Sequence, residues 1–136
     1  ITHDSTNRDI VQSQIQYVAR GIYSMPPSYG GALVDIILAD EKLNSLWQSE
    51  VTEMRERMIQ LRMLLVDSLA AQGASKDFSF INQQKGMFSF LCISPQQVQK
   101  LRNENSIYFV DSSRVNIAGI NTKNVEVLAA AISGVL

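Results

Sequence analysis

The apolar residues between positions 41 and 72 recur every three or four positions, which is the pattern of one face of an amphipathic helix. Asp40 is a suitable N-cap and Gly73 is a typical helix stop, so we predict one helix over 41–72. At ~1.5 Å per residue this helix would be roughly 48 Å long, a length typical of helices that bridge domains or pack against another chain. The apolar stripe consists of Leu43, Leu46, Trp47, Val51, Met54, Met58, Leu61, Leu65 and Leu69.

Two shorter helices are predicted upstream of the long one. Loosely spaced apolar residues from Asp9 to Val18 indicate an amphipathic helix that ends before Gly21. Pro26 and Pro27 then forbid a continuing helix. The apolar cluster at 33–38 predicts a short buried helix that ends at Asp40.

After Gly73 the apolar pattern changes to a period of two, which favours strands. Ser94 followed by Pro95 predicts the start of another helix, and an alanine-rich apolar helix is predicted over 121–136. The order of elements indicates an α+β domain, with a short sheet carrying helices on one face, preceded by a long interdomain helix. The predicted strands cover 78–80, 87–93, 107–110 and 114–117.

The length of 136 residues suits one domain of ordinary size. The composition excludes several classes of function. No apolar run of ~18 residues occurs, so a membrane-spanning helix is excluded. A net charge of −1 argues against binding to nucleic acid. Cys92 is the single cysteine and His3 the single histidine, so neither a disulfide within the chain, nor a zinc site, nor a Ser/His/Asp triad can form. Because the chain begins at Ile1, it is expected to be part of a longer protein. The single cysteine favours a reducing compartment, and a cytoplasmic location is predicted.

Most of the reactive residue types have a structural interpretation. Cys92 lies within a predicted apolar strand and is predicted to be a buried structural thiol. The methionines of the long helix are interpreted as packing residues. The charged residues of that helix are interpreted as its solvated face: Glu50, Glu53, Arg55, Glu56, Arg57 and Arg62.

Two arginines are candidates for binding an anionic ligand. Arg114 stands at the head of a predicted strand among small, neutral residues, so its planar guanidinium needs an anionic partner. That partner is either an external carboxylate or an acid of the chain such as Asp111. Arg20 is either a ligand of a similar kind or a residue that complements the dipole of its own helix.

Three motifs, in order and in register, resemble the carboxyl-terminal third of the aspartate and aromatic aminotransferases, which are fold-type I, class I enzymes dependent on pyridoxal phosphate. The resemblance covers residues 8–136. The motifs are YSMPPSYGGA at 23–32, GMFSF at 86–90 and SRVNIAG at 113–119.

The resemblance implies roles for four substrate-binding residues. Arg114 matches the arginine that holds the substrate α-carboxylate, and Phe88 matches an aromatic residue that closes over the site. Arg20 matches the arginine that binds the distal carboxylate of aspartate or glutamate in the neighbouring subunit of a homodimer, and Ser24 lies beside it. No catalytic, cofactor-binding or metal-binding residue is expected in this segment, because none of its lysines matches the Schiff-base lysine.

The implied protein therefore transfers an amino group between aspartate or aromatic amino acids and 2-oxoglutarate, with pyridoxal 5'-phosphate as cofactor in the full-length enzyme. Its partners would be amino acids, 2-oxo acids and a second subunit. Residues 1–50 would complete the large domain, and residues 51–136 would form the small domain. The segment alone is expected to be inactive and to bind no pyridoxal phosphate. The alternative is a stand-alone, non-catalytic α+β binding or regulatory module derived from that domain.

Overall fold

The structure is a computed structural model that describes the backbone of residues 5–136 and the side chains from residue 7 onwards. His3 lies outside the described residues. The chain divides into two compact units, Ile1–Gln48 and Ser49–Leu136.

The first unit begins with helix α1, Ser5–Tyr23. The predicted end before Gly21 is wrong, because one glycine costs a helix only about 1 kcal/mol and the following residues remain helical. The helix ends where Ser24 adopts a φ of 61°, two residues before the Pro26–Pro27 pair that cannot continue it.

Helix α2, Tyr29–Ala39, ends at Asp40 as predicted, but it is not buried. Val34 and Ile36 are each 56% exposed, and none of the described residues from 7 to 48 is buried. The sequence shows only that α2 is apolar; burial also requires neighbours that cover the helix, and the described part of this unit leaves it largely exposed.

Helix α3, Glu41–Ala71, follows closely the helix predicted over 41–72. The Asp40 carboxylate accepts hydrogen bonds from the backbone N–H groups of Lys42 and Leu43, each at 2.9 Å, and so caps the helix. Gly73 ends it with a φ of 69°, the left-handed conformation that glycine adopts readily. Only the last part of the predicted stripe is buried, at Leu61, Leu65 and Leu69.

The sheet of the second unit has two antiparallel strands, β1 (Phe88–Phe90) and β2 (Arg114–Asn116). Ser89 pairs with Val115, and both are buried on the core face. The other residues of the strands are exposed on the opposite face, which we call the outer face: Phe88, Phe90, Arg114 and Asn116.

Two of the four predicted strands do not form. Around 78–80 the chain makes a 3₁₀ helix, Ser79–Gln83, because the Asp77 carboxylate accepts hydrogen bonds from the N–H and the hydroxyl of Ser79, each at 2.8 Å, and fixes a turn. These two bonds lower the pKa of Asp77. The segment 107–110 pairs with no strand among the described residues; the Ile107 N–H instead bonds to the Leu101 carbonyl and closes the preceding helix.

Helix α4, Pro95–Asn105, begins with the predicted cap. Ser94 accepts a hydrogen bond from the Gln97 N–H, and the Gln97 side chain accepts one from the Ser94 N–H. Helix α5, Val125–Gly134, starts four residues later than predicted, because the Asn121 carboxamide holds 121–124 as a turn.

The core of the second unit is built from α3, the sheet, α4 and α5. An α+β arrangement with a short sheet is present, although the sheet has two strands where four were predicted. No helix within residues 5–136 is long and apolar enough to cross a membrane. The largest fully buried side chains of the core are Leu65, Leu69, Ile81, Leu91, Leu101, Ile117 and Ile132.

Candidate carboxylate-binding site

Arg114 is the first residue of β2 and lies on the outer face of the sheet. Its guanidinium carbon is 4.6 Å from the centre of the Phe88 ring, which is a cation–π contact. Phe90 stands directly opposite Arg114 on the neighbouring strand. The two-strand pairing therefore brings together Arg114 and Phe88, two of the predicted site residues.

The alternative in which Arg114 pairs with Asp111 is wrong. The Asp111 carboxylate instead accepts from Arg102 at 3.0 Å, and Arg102 also donates to the Phe109 carbonyl at 3.0 Å. Among the residues that the structure describes, no carboxylate lies within 4.0 Å of the Arg114 guanidinium. Because one face of this fork rests on an aromatic ring, its edge is free to bind a planar anion through two hydrogen bonds.

A cavity of about 560 Å³ lies next to Arg114 in the second unit. Its wall is mostly apolar and includes Phe88, Val127 and the side chains of 107–110. Arg114 and Lys123 supply positive charge, and no carboxylate lines the cavity. Two cationic side chains beside an apolar wall suit a ligand that has both an anionic group and an apolar part.

Arg20 and Ser24 lie together at the end of α1, in the first unit. The Ser24 N–H donates to the Arg20 carbonyl at 3.2 Å. The Arg20 side chain is exposed in the last turn, where it also complements the negative end of the helix dipole. Both interpretations of Arg20 agree with this position.

The burial of Arg62 is not predicted by the pattern of the long helix. The interpretation that places it on the solvated face is wrong, because the residue is only 4% exposed. Its guanidinium donates to the carbonyls of Gly86 and Phe88, the latter at 3.5 Å, and burial lowers the pKa of this arginine. The sequence contains an indication that Arg62 is buried. It follows Leu61 directly and precedes Leu65 by three positions, which places it at the border of the apolar stripe.

The prediction of a buried Cys92 is also wrong. The residue is exposed because it lies between the buried Leu91 and Ile93, where the alternation of side chains points it to the opposite face. Its φ of 55° bends the chain at this point. Lys76 lies beneath this bend and donates to the carbonyls of Leu91 and Cys92.

Comparison with known proteins identifies the family. The model of aminotransferase class I and II matches residues 5–132. The chain belongs to this family. The resemblance read from the three motifs is thereby confirmed.

The relatives of this aminotransferase segment are aspartate and aromatic-amino-acid aminotransferases. It is 43% identical to the aromatic-amino-acid aminotransferase of Pseudomonas aeruginosa over 92% of the chain and 31% of that protein. It is 42% identical to the aspartate aminotransferase of Escherichia coli over 100% of the chain and 34% of that protein. The segment thus spans about a third of the length of the curated relatives it matches. Other relatives are mitochondrial aspartate aminotransferases, from Dictyostelium discoideum and Arabidopsis thaliana.

Solved structures agree with this assignment. The aromatic-amino-acid aminotransferase of Burkholderia pseudomallei, covalently bound to pyridoxal phosphate, superposes with a TM-score of 0.95 at 44% identity, over 100% of the segment and 34% of that chain. A mitochondrial aspartate aminotransferase of Trypanosoma brucei superposes with a TM-score of 0.93 at 35% identity, over 98% of the segment and 35% of that chain.

The lining of the cavity beside Arg114 does not have the donor set of a site for pyridoxal phosphate. Such a site needs a lysine for the covalent bond, an acid at the pyridine nitrogen and donors for the phosphate. The cavity beside Arg114 has a lysine but no carboxylate to face a pyridine nitrogen. Its chemistry fits a carboxylate.

Proposed function

We propose that this chain is a segment of a pyridoxal-phosphate-dependent aminotransferase of aspartate or aromatic amino acids, and that it supplies the arginine that binds the substrate α-carboxylate. One observation carries the proposal: Arg114 is exposed, stacks on Phe88 and has no carboxylate partner among the described residues. A guanidinium in this state is preorganised for a carboxylate. In the family the cofactor carries the amino group between the amino acid and the 2-oxo acid.

Arg114 would orient the substrate through two parallel N–H···O bonds. A bidentate pair fixes the plane of the carboxylate as well as its distance, so the α-carbon is held in one orientation. The Phe88 ring would cover one face of this pair and exclude water, which strengthens the electrostatic attraction.

Arg20 and Ser24 would serve the second carboxylate of an acidic substrate, in the site of a partner subunit. Support for this role comes from the exposed position of Arg20 in the last turn of α1 and from the family motif that begins at residue 23. An aromatic substrate has no second carboxylate, so it would not need this contact.

The domain assignment is part of the same proposal. Residues 1–50 would complete the large domain, and residues 51–136 would form the small domain that closes over the substrate. The division of the chain after Gln48 supports a boundary in this region. The homodimer and the cytoplasmic location also remain predictions.

A chimeric enzyme tests the role of Arg114. The 136 residues replace the matching third of the Escherichia coli aspartate aminotransferase, and we expect the chimera to transaminate aspartate. Arg114→Lys keeps the charge but loses the planar fork, so kcat/KM for aspartate should fall by about a hundredfold. Arg57→Lys, a change at an exposed arginine of α3, is the matched control. Wild-type kcat/KM in the Arg114→Lys chimera would refute the assignment.

The same chimera tests Arg20. Arg20→Leu should lower kcat/KM for aspartate by about tenfold more than kcat/KM for phenylalanine, because only aspartate carries the distal carboxylate. Equal losses on the two substrates would contradict a role in side-chain selection.

A further inference from the structure

The buried guanidinium of Arg62 calls for an explanation, because burying a cation is costly unless its donors are bonded. The side chain is 4% exposed, and its Nε has no hydrogen-bond partner among the described residues. Its contacts go to backbone carbonyls, at Gly86 and Phe88. No ion pair within the described residues compensates its charge.

The two carbonyls belong to the residues that lead into and begin β1. The Met87 carbonyl accepts from Ile117 at 2.9 Å, and the Leu91 N–H donates to Ser113 at 3.1 Å. Because bonding alternates along an antiparallel pair, the backbone groups of Phe88 point away from β2. Arg62 bonds to this outward carbonyl, so the backbone of Phe88 is held on both sides.

Phe88 in turn contacts the Arg114 guanidinium through its ring. A ring that lies beneath a guanidinium at this distance attracts it and restricts where it can lie. The position of the β1 backbone therefore affects where Arg114 offers its donors. The contacts form one chain from α3 through β1 to β2.

We propose that Arg62 is a positioning residue for carboxylate binding. It fixes the backbone at Gly86–Phe88, and the Phe88 ring then holds the Arg114 guanidinium in the orientation that a carboxylate meets with two hydrogen bonds. This inference rests on the proposed function of Arg114.

The test uses NMR of the complete 136-residue chain. The Nε–Hε signal of Arg114 reports its contact with Phe88, because the ring current of Phe88 moves this signal upfield. The Phe88→Leu variant removes the ring, so its signal gives the position expected without the contact. Arg62→Lys keeps a charge but not the fork, and Arg62→Met removes all donors. We expect a partial loss of the upfield shift in Arg62→Lys and a complete loss in Arg62→Met. The exposed Arg57→Met is the matched control and should change nothing.

Titration with succinate separates this inference from the proposed function. In the wild-type chain succinate should shift the Arg114 signal; no shift would overturn carboxylate binding by Arg114, and with it the role proposed for Arg62. If succinate binds, Arg62→Lys should weaken its affinity by about tenfold. In a Phe88→Leu background the same substitution should change the affinity by less than about twofold, because Arg62 acts through Phe88.

Two results would overturn the proposal while leaving carboxylate binding intact. One is an unchanged Arg114 signal in Arg62→Lys. The other is an equal loss of affinity with and without the Phe88 ring, as a merely structural arginine would produce. Arg62→Lys keeps a donor for the carbonyls, so the test does not depend on the folding of Arg62→Met.

Discussion

Ser106 ends α4 in the left-handed region, with a φ of 56°. This conformation destabilises an L-residue by roughly 1–2 kcal/mol, whereas glycine adopts it without a steric penalty. The Ile107 N–H depends on this turn, because it reaches the Leu101 carbonyl at 3.1 Å only when residue 106 has a positive φ.

We therefore expect Ser106→Gly to raise the free energy of unfolding by about 0.5–1 kcal/mol, the steric relief minus the greater entropy of glycine in the unfolded chain. Urea denaturation measures the change. Ser106→Ala keeps the Cβ atom and is the control that should bring no gain. A destabilised Ser106→Gly variant would show that the serine side chain contributes to the turn.

Asp77 makes stability depend on pH, because hydrogen bonds from Ser79 lower its pKa below the ordinary 3.8. A group whose pKa is lower in the folded state stabilises the fold above its unfolded pKa, and this contribution is lost as the pH falls through the folded pKa. Asp77→Asn should therefore cost the same stability at pH 5 and pH 7, and progressively less below about pH 4. Urea midpoints across this range, with the exposed Asp67→Asn as control, measure the effect. A cost that stays constant down to pH 3 would contradict it.

For Arg114 the sequence left two partners open, an external carboxylate or an acid of the chain such as Asp111. The structure leaves it without a carboxylate partner among the described residues, and its role in binding a substrate stays a prediction. Arg62 and Cys92 were predicted wrongly for one physical reason. Burial depends on which face of its element a side chain occupies: Cys92 lies between the buried Leu91 and Ile93 and so faces the other way, whereas Arg62 lies at the border of the apolar stripe.

Among the elements, helices were predicted more accurately than strands because their ends carry chemical signals. The cap of α4 is an example, since Ser94, Pro95 and Gln97 are all visible in the sequence. Strands depend on partners distant in sequence. Residues 107–110 have the composition of a strand, yet no described segment pairs with them.

At the start of α4, Ser94→Ala removes one half of the capping box. We expect a loss of about 1 kcal/mol in the free energy of unfolding, because the Gln97 N–H loses its acceptor. Thermal or urea denaturation measures the loss. Ser94→Asp also accepts this bond and should restore most of the stability; a variant as unstable as Ser94→Ala would argue against the cap.

Across the whole molecule, burial is distributed unevenly. All the buried residues among those described lie between Leu61 and Val135. Helices α2 and α5 have similar lengths and both are apolar, but α5 has five buried residues and α2 has none. Helices this short are marginal in water without packing.

Hydrogen exchange should therefore distinguish these two helices. We expect the backbone amides of α2 to exchange about a hundredfold faster than those of α5, because local opening exposes little apolar surface in α2. Mass spectrometry of peptic fragments at low protein concentration measures the rates. Equal protection that persists on dilution would contradict the expectation, whereas protection that appears only at high concentration would indicate association through α2.

The outward edge of β1 has a consequence for solubility. An unpaired strand edge is a template on which another chain can add a strand, and this is a common route to aggregation. Arg62 bonds to the Phe88 carbonyl on this edge, and the Gln84 carboxamide accepts from the Phe90 N–H at 3.1 Å. One outward group of each residue is thus occupied by a side chain, so an incoming strand that used the Phe88 carbonyl would first have to displace a buried arginine.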